Sequence, residues 1–362
     1  MPVKIKRGSK QVNAIKGPIS MQHVAEHAGV SRSSVSLALQ HHPSIPASTR
    51  ERIRATAQEL GYRPNPLVTA LMRSRRTVAH ASTVRASLGF LTADAPTDRW
   101  RDATTHRNFY AAATTRAVER GFSLEEFSTS DPKMRPERLI DLLQARGIHG
   151  ILVAPLTGQK NTLPFNLTGF SVVGLGTSVQ APEIDRVADD HFYAAHLAYN
   201  QSYALGYRNI GFALAADVSR RLEHRWLSGY LVAQQQHSPR TRIPVFMPET
   251  REEIPLGLNA WIARHRVDAV IFALRDPKKM SCAPAGTGLI SLSVHDDSNI
   301  TGIRQDEFRI GAEAIDLLVE KLQRWDTGAL RGTRLQLIRG VWSAGLSAPG
   351  AGLNRQALLP EK

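Results

Sequence analysis

Three times between residues 20 and 62 the apolar positions recur at helical spacing. Val24, Ala25 and Ala28 sit at i, i+1 and i+4, one face of a first helix that Ser20 is placed to cap. Gly29 can take the left-handed conformation that stops this helix, and Val30 fills the corner behind it. Ser31 has the chemistry of a second N-cap. Val35, Ala38 and Leu39 then form a buried stripe, with Arg32, Ser33, Ser36 and Leu37 lying off it. After a turn over 41–46, Ile53, Ala57 and Leu60 close a three-helix core from a third helix over 49–60, which Gly61 ends. From about Val84 the texture changes. Short apolar runs at 86–93, 148–154, 170–175, 209–215, 267–274 and 289–294 predict strands. Amphipathic runs between and after them, at 109–120, 137–146, 192–205, 222–236 and 308–325, predict helices. Such alternation makes an α/β protein with parallel sheets covered by helices on both faces.

Charge sharpens the division. The chain has 362 residues and a formal charge of +14, of which residues 1–76 carry +10. Positive charge concentrated in one small module is the footprint of phosphate binding. The second helix of that module offers an arginine, small hydroxyls and a leucine on its outer face, and no acid, which suits a DNA major groove. Two short helices across a tight turn with such a face read as a helix-turn-helix. Residues 1–17 carry Lys4, Lys6, Arg7, Lys10 and Lys16 without an acid, and read as a solvated disordered arm or as an arm that touches DNA. No apolar run follows Lys16 to make a secretion signal, and nothing approaches the ~18 apolar residues of a membrane span. A single cysteine, Cys282, excludes an intramolecular disulfide and fits a reducing, cytoplasmic (nucleoid-associated) setting.

The run from Ile19 to Arg76 resembles the headpiece of the lactose-repressor/galactose-repressor (LacI/GalR) family of bacterial transcriptional regulators. The pattern VAxxAGVSxxxVSxxL is met by Val24 to Leu39, followed by the third helix and by Tyr62-Arg-Pro-Asn65. Weaker landmarks continue in the core: Arg208-Asn-Ile-Gly211, Ser228-Gly-Tyr230, Val267-Asp-Ala-Val270 and Ile303-Arg-Gln-Asp306. The resemblance implies an all-α helix-turn-helix headpiece joined to a two-lobed, periplasmic-binding-protein-like core. The expected domains are an arm (1–17), the headpiece (18–63), a hinge helix and linker (64–80), an effector-binding and dimerisation core (81–350) and a tail (351–362). It implies a homodimer on a double-stranded, pseudo-palindromic DNA operator, with a small-molecule effector in the core cleft and no cofactor, metal or membrane partner.

Candidate residues follow. Arg32 and Ser33 open the recognition helix and are expected at base edges, and Leu37 at an apolar base feature such as a thymine methyl. Ser31, Ser34 and Ser36 suit capping and phosphate contacts, which position without specifying. Asn65 closes the headpiece signature and joins the DNA set. Leu71 matches by position the family leucine that wedges into the minor groove from a hinge helix too short to be stable alone; packing on the core is the alternative. In the cleft, Tyr110, Arg225, Trp226, Arg275, Asp296 and Gln305 are candidates for effector contact, with surface or interlobe packing open for each. Sugar-binding relatives place an aspartate where this chain has Gly176, and an arginine where it has Trp226, with Arg225 displaced by one. The segment 275–286 is also too short and proline-broken for the helix the family has there. These departures make a sugar effector less expected, and keep open a constitutive dimer whose core has lost sensing.

His23-Val-Ala-Glu-His27 fits the H-x-x-E-H metalloprotease pattern. It lies inside the helix-turn-helix, where Val24 and Ala25 are core, so zinc chemistry is set aside, and no nucleophile or phosphate-loop motif supports a DNA-tethered enzyme.

Overall fold

The computed structural model describes residues 21–39, 45–62, 86–92, 99–129, 135–156, 161–163, 166–237, 242–273, 283–295, 299–324, 326–327 and 333–351, with the side chain of Ser36 excepted. The chain divides into two compact units, Met1–Ala81 and Ser82–Lys362.

In the first unit, α1 (Met21–Ala28), α2 (Arg32–Leu39) and α3 (Ala47–Glu59) each turn one apolar stripe inward. Val24, Ala25, Ala28, Val35, Ala38, Ile53 and Ala57 are buried together, with Val30, Leu39, Leu60 and Tyr62 packed around them. Small residues at these positions let three short helices approach closely, which a chain with no room for a large core requires. Gly29 holds a φ of +64°, so the reversal between α1 and α2 costs no steric strain. Arg52 of α3 donates to the Ala28 carbonyl at 2.7 Å, satisfying a C-terminal acceptor of α1.

The second unit consists of two α/β lobes. The first sheet holds β1 (Ala86–Thr92), β2 (Phe122–Ser128), β3 (Gly150–Val153), β4 (Ser171–Leu175), β5 (Asp185–Asp189) and β10 (Leu335–Ile338) in the order β10-β5-β4-β3-β1-β2. Every pairing in it is parallel. The second holds β6 (Ile210–Ala213), β7 (Ala269–Phe272), β8 (Gly288–Val294), β9 (Thr301–Arg304) and β11 (Val341–Ser343) in the order β11-β9-β8-β7-β6, parallel except for β11. Helices α4 (Thr104–Glu119), α5 (Pro136–Ala145) and α10 (Glu307–Arg324) belong to the first lobe. The second lobe contains α6 (His191–Ala204), α7 (Ala216–Arg221), α8 (Arg225–His237) and α9 (Ile254–His265).

The chain passes between lobes three times: from β5 to α6, from β9 to α10 and from β10 to β11. The first passage is fixed by packing. Gly229 of α8 lies so close to α6 that a Cβ there would collide with the Phe192 carbonyl oxygen. This close approach accounts for a glycine in the Ser228-Gly-Tyr230 landmark, and it seats α6 immediately after the crossover.

The predicted alternation is present, with differences. The strands β2, β5, β9, β10 and β11 and the helices α7 and α9 lie outside the predicted runs. The segment 275–286, where the pattern predicts no full helix, lies mostly outside the described residues.

Candidate nucleic-acid interface and ligand cavity

The headpiece surface is set by the cap of α2. Ser31 Oγ accepts the backbone N–H of Ser34 at 3.1 Å, the N-cap bond the sequence predicts. It also lies 2.7 Å from Ser33 Oγ and 2.9 Å from Ser34 Oγ, so three hydroxyls form one cluster at the start of the helix. Arg32 and Ser33 are exposed, and Ser34 and Leu37 are half-buried. The Arg32 side chain has no hydrogen-bond partner among the described residues, which leaves its five donors available to a ligand. Leu37 stands outside the apolar core cluster of the headpiece. Asn65 and Leu71 lie outside the described residues, as does the Ser36 side chain. Within α1, His27 Nδ1 donates to the His23 carbonyl at 2.9 Å. No group of three or more metal-ligating side chains occurs among the described residues.

In the second unit the carboxyl ends of both sheets face a shared cavity of about 330 Å³. Pro155 and Leu156 follow β3, Gly176 to Ser178 follow β4, and Asp189 ends β5. Ala273 follows β7, and Ser293, Val294 and His295 line it from the end of β8. Ligands of open α/β sheets bind at this end of the strands, and the volume suits a small molecule. The N-terminus of α4 contributes Thr104 to His106, and the second lobe contributes Arg221 and Arg251.

The electrostatics are concentrated at the crossovers. Asp189 is 5 % exposed, and its Oδ1 has no hydrogen-bond partner among the described residues. Burial, reinforced by the charges of Glu307 and Asp306, pushes its carboxyl pKa up to about 8. His191 Nδ1 lies 2.8 Å from the Asp189 carbonyl oxygen. A carbonyl can only accept, so Nδ1 carries the proton. Burial lowers the ring's pKa to about 4, which keeps it neutral and leaves Nε2 as an acceptor. Gln305 donates from Nε2 to the Leu292 carbonyl at 3.1 Å, leaving its amide oxygen as the acceptor. Glu307 is held by Thr105 Oγ1 at 2.8 Å and by Asn108 Nδ2, with His295 Nδ1 at 3.6 Å.

Of the six cleft candidates, Gln305 lines the cavity and Trp226 stands behind it, edge-on to the His191 ring at 4.6 Å. Two others do not line it. Tyr110 packs into the first-lobe core against Phe90 at 4.8 Å and Trp100 at 5.1 Å. The α4 residues that reach the cavity are those of its first turn and Phe109, and Tyr110 lies about 100° further round the helix. Arg225 is held by Glu223 at 2.7 Å, and Glu223 also receives Arg186 at 3.3 Å. Arg275 and Asp296 lie outside the described residues. Asp189, His191, Thr177, Arg221 and Arg251 line the cavity without having been singled out from the sequence. One signal was available for two of them: an Asp-Asp-His run directly before a predicted helix.

A helix-turn-helix unit followed by a two-lobed α/β core with a cavity between the lobes defines a DNA-binding transcriptional regulator. Residues 20–65 match the model for bacterial regulatory proteins of the lacI family. The HTH-type transcriptional regulator PtxS of Pseudomonas plecoglossicida is 27% identical, covering 91% of this chain and 97% of that protein. The HTH-type transcriptional repressor PurR of Actinobacillus pleuropneumoniae serotype 3 is 23% identical, over 84% of this chain and 91% of that protein. In fold, the chain resembles the transcriptional regulator CelR in its cellobiose complex, with a TM-score of 0.55 at 18% identity over 91% of this chain and 100% of that one. It also resembles the lac repressor dimer bound to operator and the anti-inducer ONPF, with a TM-score of 0.52 at 19% identity over 92% and 100%. Residues 20–65 thus carry the lacI-family match, and the chain as a whole resembles HTH-type transcriptional regulators. No helix among the described residues is long and apolar enough to cross a membrane.

Proposed function

We propose that the protein is a repressor that binds a pseudo-palindromic operator as a homodimer, and that a small molecule in the interlobe cavity changes its affinity for DNA. The observation that carries the sensing half is the cavity itself. Two of the three chain crossovers line it, at Asp189 and His191 and at Gln305, so a ligand touching both lobes favours one lobe arrangement over another. Effector and operator then alter each other's affinity by the same factor. The DNA half rests on the exposed start of α2, with Arg32 free of partners among the described residues and the Ser31 cap holding the helix start. Relatives named as transcriptional regulators support a non-enzymatic role, and a repressor solved as a dimer on its operator supports the dimeric arrangement.

The test is genomic footprinting of the full chain, followed by binding to the recovered site. Two half-sites related by an approximate dyad, one helical turn or a multiple apart, are expected. Single, asymmetric sites would overturn the dimeric reading, and loss of promoter activity on deleting the gene would overturn repression.

A further inference from the structure

The crossover end of the cavity gathers acceptors. Asp189 brings a buried carboxyl whose Oδ1 has no partner among the described residues, His191 brings a neutral ring whose Nε2 can only accept, and Gln305 brings an amide oxygen whose nitrogen donates to the Leu292 carbonyl. The charges that bear on Asp189 are both acidic, Glu307 and Asp306, the two residues directly after Gln305. Nearby carboxylates already have their own partners. Asp190 accepts the Tyr193 N–H at 3.0 Å and has Arg339 at 3.6 Å, while Asp306 accepts the Arg309 N–H at 3.1 Å. The charges acting on Asp189 are acidic, and with His191 and Gln305 it offers acceptors that have no ion-pair partner among the described residues.

We propose that the ligand of this cavity is amino-acid-like: its protonated amine pairs with Asp189 and donates to the acceptors of His191 and Gln305, and its carboxylate turns towards Arg221 and Arg251. This proposal rests on the sensor reading above. An ammonium group supplies three donors and no acceptor, the complement of that end of the cavity. A hydroxyl supplies one donor and brings lone pairs to face the acidic groups. A simple anion has a place only at the arginine end. With one arginine at the close of α7 and the other in the turn before α9, the basic end is supplied by the second lobe and the Asp189 carboxylate by the first. A ligand with charges of both signs therefore ties the lobes together.

Binding must also displace a proton. The free carboxyl holds its proton up to about pH 8, and an ammonium ligand requires it ionised. The groups around it are Glu307 and Asp306 from the second crossover, Asp190 and His191 on its own segment, and His295 beyond Glu307.

The experiment is thermal unfolding and calorimetric titration of the full chain with the twenty amino acids and the 2-hydroxy counterparts of alanine, aspartate and glutamate (lactate, malate and 2-hydroxyglutarate). Glucose, gluconate and adenine complete the panel. A saturable rise in Tm from an amino acid, absent with its hydroxy counterpart, is expected. The Kd should tighten roughly tenfold per pH unit between pH 6 and 8. That slope should persist in His295→Gln and vanish in Asp189→Asn, whose affinity should be at least tenfold weaker. The wild-type slope needs no variant, so a poorly folding Asp189→Asn does not block the test. Equal binding of the hydroxy counterpart, binding of gluconate or glucose instead, or a flat wild-type pH profile would overturn the amine pairing and leave the sensor standing. If no member of the panel binds while operator binding is intact, the sensor reading falls as well.

Discussion

Arg32 and Asp189 stand at opposite ends of the proposed function, and each is defined by the partner it lacks. Arg32 leaves the helix start with its guanidinium unengaged among the described residues, in a geometry suited to the paired acceptors of guanine. Replacing it with alanine should cost about 1–3 kcal/mol at the operator and relax the preference at one base position of each half-site, as read by competition against singly substituted operators. An equal loss on random DNA would make it a phosphate contact instead. Asp189 gives a prediction for the protein without ligand or DNA. Its folded pKa is raised above the unfolded value, so its contribution to stability is complete below about pH 3.8 and is lost as pH rises to about 8. His191 works in the opposite sense. Its folded pKa is lowered from 6.5 to about 4, so its contribution is present above pH 6.5 and is lost as pH falls to about 4. The two oppose each other below pH 6.5, and between 6.5 and 8 Asp189 is the shifted group that titrates among the described residues. Denaturant unfolding of the wild type should therefore show stability falling from pH 6.5 to 8, and Asp189→Asn should flatten that interval.

Among the elements, legibility follows burial. The strands β1, β3, β4, β6, β7 and β8 were visible because each is a run of apolar residues buried on both faces, as parallel sheets require. The strand β5, Asp-Arg-Val-Ala-Asp, reads as polar and was not visible. Asp185 can be buried there because Lys321 of α10 reaches it at 2.8 Å, a contact 136 residues away, and the Arg334 N–H donates to its other oxygen at 2.7 Å. The edge strand β10 and the antiparallel β11 pack half-exposed and carry no comparable run. The helix α9 starts at Ile254-Pro-Leu-Gly, a pair of breakers inside the first turn that hides its period. The cavity inherits the same limit. Gln305 was legible from a motif, whereas Asp189 and His191 acquire their chemistry from burial and from carboxylates on another crossover. Element packing also yields a prediction. The Ser31 hydroxyl satisfies an N-terminal donor of α2 and gathers two neighbouring hydroxyls, so Ser31→Ala should destabilise the headpiece by about 1 kcal/mol. Headpiece-specific amide exchange should speed up while that of the core is unchanged, and unaltered exchange in α2 would show that the cap is redundant.

At the scale of the molecule, charge and cavity are assigned to different units, and this separation can be measured. Residues 1–76 carry +10 of the total +14, and the unit boundary falls at Ala81. Phosphate neutralisation releases condensed counterions, so the logarithm of the DNA association constant should fall linearly with the logarithm of salt. The expected slope is about −0.9 per phosphate contacted. The term is independent of sequence, so it should appear on operator and on random DNA alike, with specific contacts setting the offset between the two lines. The core carries little of this charge, and its strand ends face a cavity sized for a small molecule. A fragment of residues 82–362 should therefore fold, keep its thermal response to the cavity ligand and show no salt-dependent association with DNA. Measuring both proteins on the same duplex across salt separates the possibilities. A full chain with a nearly flat slope would mean that the basic module does not lie on the phosphates. A core fragment retaining the slope would move the DNA surface out of the headpiece and undo the division of labour argued from charge.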